Sequence, residues 1–205
     1  MSAPQGSPEW ALERAGHATA SRFSDILAKI KTGESASRRN YRTQLVTERL
    51  TKLPVEQYHN AAMQWGIDTE AQAREEIEIT LGYVVTETGF IKHPTMKWVG
   101  CSPDGLINND GGCQIKCPFV STVHVETLQG GMPSTHIAQV QGEMWVTGRS
   151  WWLFVSFDPR MPKNIQLYSQ VIKRDPLYIA ALEQEVSQFL VDTAQLYDKL
   201  VTMKM

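Results

Sequence analysis

Between residues 56 and 81, apolar and small side chains recur every three or four positions. Ala62, Trp65, Thr69, Ala73, Ile77 and Leu81 share one face of a helix, while Gly66, Glu70, Arg74 and Glu78 stack along a polar side. The same period predicts a helix over 41–53, closed by Pro54. Ahead of it, residues 10–14 suit a short turn, and Thr19 or Ser21 can cap a helix carrying Phe23, Ile26, Leu27 and Ile30 on one face. Beyond residue 82 the period shortens. Residues 83–86, 90–91 and 98–99 suit strands, and 99–117 suits a hairpin: a strand end, a turn at Pro103, Asp104 and Gly105, a short strand at 106–107, a loop at 108–112 and a second strand at 113–117. Alternation on that strand sends Cys113, Ile115 and Cys117 one way and Gln114 and Lys116 the other, where they can gather around Asp104.

A loop is expected after Phe119, containing Ser121, Thr122, His124 and the pair Gly130 and Gly131. Ile137, Val140, Met144 and Trp145 then form an apolar helical stripe with Gln139 off it. Residues 151–155 are dense enough in aromatic and branched side chains for a core strand, 157–161 turn the chain, and Ile165, Leu167 and Val171 alternate along a further strand. Asp175 followed by Pro176 caps a last helix, whose stripe is Ile179, Leu182, Val186, Phe189, Leu190, Leu196 and Leu200.

At 205 residues, 42% hydrophobic and 20% charged, the chain suits a single domain over 9–205 after a disordered stretch at 1–8. A net charge of −2 excludes a globally basic nucleic-acid coat, so any such binding must be local. One basic patch stands out: Lys29, Lys31, Arg38, Arg39 and Arg42 around Tyr41. No apolar run approaches the ~18 residues that span a bilayer, so no membrane association is expected. The first residues lack the basic and apolar regions of a secretory signal, which suggests a cytoplasmic protein with reduced thiols. A zinc module of Cys101, Cys113 and Cys117 with His93 or His124 is disfavoured, since only Cys113 and Cys117 are closely spaced. The three Cys also fall one short of an iron–sulfur ligand set.

The hairpin carries the chemistry. An Asp at a turn, followed some ten residues later by acid-x-Lys on a strand, is how metal-dependent nucleases set carboxylates and a carbonyl around a hard cation. Ser102-Pro103-Asp104-Gly105-Leu106, Gln114-Ile115-Lys116-Cys117-Pro118-Phe119, Ala138-Gln139-Val140-Gln141 with Met144-Trp145-Val146-Thr147, and Phe157-Asp158-Pro159-Arg160-Met161 together resemble the lambda-type phage exonucleases of the PD-(D/E)xK superfamily. The resemblance extends from about Trp10 to the last helix. It implies an α+β, sandwich-like fold: a central mixed β-sheet flanked by helices, on a restriction-endonuclease-like core.

The same resemblance implies a 5′-to-3′ exonuclease on linear double-stranded DNA in the bacterial host cytoplasm, leaving a 3′ single strand for recombination. It implies Mg²⁺, two ions, with Mn²⁺ able to substitute. Metal oxygens would come from Asp104, Gln114, Ile115 and Glu70; Lys116 would activate the attacking water, and Gln139 would hydrogen-bond that water or the scissile phosphate. Arg14, Ser21 and Ser102 match residues that bind the 5′-phosphate. Arg38, Arg39 and Arg42, on a loop or arm beside the duplex, are candidate DNA contacts together with His124 and His136. The family's phosphate-pocket Arg falls at Thr122, leaving that pocket one cation short. A homotrimer ring and a phage single-strand annealing protein are the implied assembly and partner. Gln114 stands where relatives carry Glu, removing one negative charge from the metal site. Such a near-isosteric exchange in an otherwise complete centre reads as deliberate inactivation; a natural member of altered activity, or a non-catalytic DNA-end-binding protein of the same fold, is the alternative.

Overall fold

In the computed structural model, which describes residues 3–55 and 60–203, a short helix α1 (Pro8–Arg14) leads through β1 (Ala18–Thr19) and a 3₁₀ turn into α2 (Phe23–Leu27). Helices α3 (Ala36–Thr51) and α4 (Ala61–Leu81) follow, then strands β2 (Val85–Thr86), β3 (Ile91–Lys92), β4 (Val99–Cys101), β5 (Gly105–Ile107) and β6 (Gly111–Lys116). Helices α5 (Ser121–Gly130) and α6 (Ile137–Thr147) lead to β7 (Trp151–Phe157), β8 (Leu167–Lys173) and the long α7 (Pro176–Val201).

Five strands form a mixed sheet in the order β2-β5-β6-β7-β8, parallel only between β6 and β7. A smaller sheet has the order β1-β4-β3. The predicted meander is therefore divided between two sheets. Alternation works as expected on β6: Cys113, Ile115 and Cys117 join Leu153, Val155 and Phe157 against Ala73 and Ile77 of α4. On the opposite face Trp152 packs with Val140 and Met144 of α6. A second core joins Phe23, Tyr41, Leu45, Cys101, Ile179, Leu182, Val186 and Phe189 between α2, α3, α6 and α7. Cys101 thus lies in a different cluster from Cys113 and Cys117, and the three thiols do not meet.

Several elements depart from the sequence pattern for identifiable reasons. The turn at 10–14 is a helix, because Ser7 caps it by accepting the Trp10 N–H and Pro8 opens its first turn. Within the first eight residues, expected to be loose, the Gln5 amide donates to the carbonyls of Thr88 and Pro103. The helix after Thr19 stops at Leu27, leaving Ile30 exposed. Ser35 caps α3 by accepting the Arg38 N–H, so the helix claims residues assigned to a basic loop. Helix α4 buries Thr69, Ala73 and Ile77 as predicted, but Ala62 is exposed and the expected start at 56–59 lies outside the described residues. The loop after Phe119 is α5, pinned by His124. Gly111 and Gly112 belong to β6, not the hairpin loop: a Cβ on either would lie within 2.3 Å of the Trp151 or Trp152 ring. Val171 points to solvent on the outer strand β8, and Ile165 precedes that strand in a 3₁₀ turn.

Candidate active site

Asp104 sits where the Pro103 turn enters β5, and β6 runs beside it. One Asp104 carboxylate oxygen accepts the Ile115 backbone N–H at 2.6 Å and a hydrogen bond from the Gln114 side-chain amide. A strand residue's N–H and C=O point the same way, so the Ile115 carbonyl is presented along this edge too. Gln139, on α6, donates to both Gln114 Oε1 and Glu143 Oε1, the latter at 3.0 Å, and Lys116 Nζ donates to Gln139 Oε1 at 3.4 Å. The structure therefore brings Asp104, Gln114, Ile115, Lys116 and Gln139 together. Glu70 joins from α4, hydrogen-bonded to Arg74, which also pairs with Glu87 at 3.0 Å.

Burial dominates the electrostatics here. It pushes the Asp104 carboxyl up to about 7, with Lys116 opposing and the Glu70 charge adding to the rise. Burial also raises Glu70, against the pull of Arg74. Glu143 lies well above the usual carboxylate range, through burial and the nearby charge of Asp104. A cation would lower all three, and the donor classes suit a hard one: carboxylates of Asp104 and Glu70, the Ile115 carbonyl and the Gln114 amide oxygen. The set is one carboxylate short. Among the described residues no three His, Cys, Asp or Glu side chains converge as a metal cluster, and the Gln114 amide turns its N–H toward Asp104.

A cleft of about 930 Å³ is lined by Asp104, Glu70 and Arg74, and also by Arg14, Arg22 and Tyr41. The Arg14 guanidinium stacks on Trp10 at 4.1 Å and has no carboxylate within ion-pair distance among the described residues; burial lowers its pKa. The Trp10 indole donates to Ser102 Oγ at 3.0 Å, which ties Ser102 to the helix bearing Arg14. Ser21 is exposed, its hydroxyl 3.3 Å from that of Thr19, and it is Thr19 and Arg22 that line the cleft.

Three of the expected DNA contacts, His124, Arg38 and Arg42, are engaged within the fold. His124 is fully buried, one ring nitrogen 2.8 Å from Ser156 Oγ and the other 2.8 Å from the Ile165 carbonyl; it bolts α5 to β7 and has no face for DNA. Arg38 and Arg42 are occupied. Arg42 forks onto Glu34 at 2.6 and 2.8 Å, and Arg38 reaches Glu34, Glu185 and Asp192. Arg39 is exposed on α3, and His136 stacks on Phe154, its pKa lowered to about 4 by burial and by Lys116. Thr122 is exposed on α5 and does not line the cleft. The sequence pattern missed Arg22, the neighbour of Ser21, whose guanidinium lies over Tyr41. It also missed Glu143, whose one signal was a charge four residues after Gln139 on α6. Arg160 in the Phe157–Met161 turn holds Asp158 and the carbonyls of Pro118 and Phe119, fixing the chain that leaves Lys116.

Several known proteins are similar to this chain in sequence and fold. An alkaline exonuclease from Laribacter hongkongensis, LHK-Exo, is 42% identical over 95% of this chain and 96% of its own, with a TM-score of 0.86; its complex with dAMP superposes at 0.88. A phage related exonuclease from Haemophilus somnus 129PT shares the fold at a TM-score of 0.67 and 14% identity, over 91% of this chain and 95% of its own. The ExoD protein of Escherichia coli (strain K12) is 42% identical over 57 residues, which are 28% of this chain and 64% of that relative's length. Residues 9–150 match the model of the YqaJ-like viral recombinase domain, and the chain belongs to that family.

Proposed function

We propose that this chain is a metal-dependent exonuclease that degrades one strand of linear duplex DNA from a 5′-phosphorylated end. What supports the reading is the meeting of Asp104, Gln114, the Ile115 backbone and Lys116 beside a cleft that also holds Arg14, which makes no ion pair among the described residues. The alkaline exonuclease of similar sequence over nearly the whole chain supports it further. Asp104, the Ile115 carbonyl and the amide oxygen of a reoriented Gln114 would hold Mg²⁺, with Glu70 toward a second ion or its waters. Bound there, Mg²⁺ would supply Lewis-acid stabilisation of charge on the phosphate and the departing 3′-oxygen. Lys116 presents an ammonium to the attacking water or a phosphate oxygen, and Gln139 holds that ammonium in place. At the other side of the cleft the Arg14 fork takes the terminal 5′-phosphate, an anion it can bind bidentately. Ser102, held by the Trp10 indole, contributes a hydroxyl at that end, and Thr19 lines the cleft beside the exposed Ser21. Product strands would pass to a phage annealing protein, with a trimer around the duplex in the host cytoplasm.

Gln114 weakens cation capture, so this chain as it stands binds DNA ends and cuts poorly. The test is digestion of 5′-phosphorylated linear duplex with Mg²⁺, comparing this chain with Gln114→Glu. Cleavage gained by the Glu form supports the reading. If neither form cuts while both bind duplex ends, a non-catalytic end-binding protein is the better description, a reading that the Gln114 amide favours.

A further inference from the structure

Behind the reacting side chains lies a carboxylate that the proposed reaction does not use. Glu143 is 1% exposed, one helical turn after Gln139 on α6. One of its oxygens accepts the Gln139 Nε2–H at 3.0 Å; the other lies toward the Trp152 indole, and neither that oxygen nor the Trp152 Nε1–H completes a hydrogen bond of ordinary geometry among the described residues. The helix is fixed at this point. A Cβ on Gly142 would lie 2.4 Å from the Phe23 ring, and Val140 and Met144 pack on Trp152, so Glu143 has little room to withdraw.

Side chains then follow in single file: Glu143, Gln139, Gln114, Asp104. Each link constrains the next. With Lys116 donating to its oxygen, Gln139 must aim its NH₂ at Glu143 and at position 114. Flipping that amide would set its oxygen against the Glu143 oxygen and its N–H groups against the Lys116 ammonium. Burying a carboxyl is costly. Burial, with the nearby charge of Asp104, pushes the Glu143 carboxyl well above the usual carboxylate range.

We propose that Glu143 is a positioning residue: it fixes the orientation of the Gln139 amide, and through it the placement of Lys116 and of the side chain at position 114. The consequence for cleavage rests on the nuclease reading; the orientation itself does not. Selective ¹⁵N-glutamine labelling of the whole chain reads the orientation from the side-chain NH₂ signals of Gln139 and Gln114. Glu143→Met keeps the volume and the burial but accepts no hydrogen bond, whereas Glu143→Gln keeps an acceptor oxygen. The slow exchange of the Gln139 NH₂ should be lost in the first variant and kept in the second. In the Gln114→Glu background, kcat on 5′-phosphorylated duplex should fall about 10–100-fold in Glu143→Met, the usual scale for a supporting partner. KM should hardly change, and Glu143→Gln should recover most of kcat. Should Glu143→Met fail to fold, Glu143→Asp, too short to reach Gln139, serves the same measurements. An unchanged Gln139 amide, or an unchanged kcat where Gln114→Glu cuts, overturns the proposal. If Gln114→Glu does not cut at all, the nuclease reading fails by itself and the amide signals still decide the role of Glu143.

Discussion

Two charged regions of the molecule differ in how their charges are matched. Along the start of α3, Arg42 is forked onto Glu34, and Arg38 is surrounded by Glu34, Glu185 and Asp192. In the cleft, Arg14 faces no carboxylate at ion-pair distance among the described residues, and Asp104 faces no cation at that distance. Matched charges hold the fold together; unmatched, partly buried ones carry a desolvation cost that a ligand of opposite sign would offset. The denser run of cations in the sequence is thus the structural one. On this argument Arg14, without an ion pair among the described residues, is the position proposed for the anion.

The largest effect expected from that comparison lies at the acid side of the cleft. Gln114→Glu adds the missing negative charge beside Asp104, and Mg²⁺-dependent digestion of 5′-phosphorylated duplex should rise about 100-fold or more, the scale of one preorganised electrostatic group. Next comes the cation side. Arg14→Ala should erase the preference for a 5′-phosphate over a 5′-hydroxyl end, a loss of about 1.5–3 kcal/mol for a charged hydrogen-bonding partner, read by fluorescence anisotropy in the non-cutting chain. An intact preference would move the phosphate site elsewhere. Protonation gives the third. The Asp104 carboxyl is raised to about 7, above its unfolded value, so the metal-free fold is favoured by its protonated form. That stabilisation is present at low pH and is lost as pH rises through about 7; melts of Asp104→Asn should lack the slope. Protons compete with Mg²⁺ at the same group, so affinity by calorimetry should drop about tenfold per pH unit below this point.

Much of this was legible in the sequence because it depends on local rules. Alternation on a strand is enough to put Gln114 and Lys116 opposite Cys113 and Ile115, and a spacing of four is enough to pair Glu70 with Arg74. His124 was not legible. Its burial depends on Ser156 and the Ile165 carbonyl, contributed by β7 and by the turn before β8, so no window around residue 124 contains its partners. Arg38 was hidden for the same reason: Glu185 and Asp192 are on α7, about a hundred and fifty positions away in sequence. Glu143 carried a local signal, the spacing of four from Gln139. Its meaning emerged only once β6 placed Gln114 on the other side of Gln139.

The smallest effect separates two adjacent arginines and tests whether matching, not density, decides what a cation does. Arg38 donates to the Ile26 carbonyl at 2.7 Å as well as to its acids, so Arg38→Ala leaves a carbonyl and several carboxylates without their partner. It should cost about 1–3 kcal/mol of stability by chemical denaturation. DNA affinity measured on the folded fraction should not move. Arg39, one position on, is exposed and makes no ion pair among the described residues. Arg39→Ala should change stability by less than about 0.5 kcal/mol. If Arg39 touches a phosphate, the slope of log affinity against log salt should shrink by about 0.9. A flat response to Arg39→Ala would remove the last of the α3 cations from the DNA path. A salt slope that falls in Arg38→Ala while stability holds would break the comparison itself, because a fully matched arginine would then be serving the ligand.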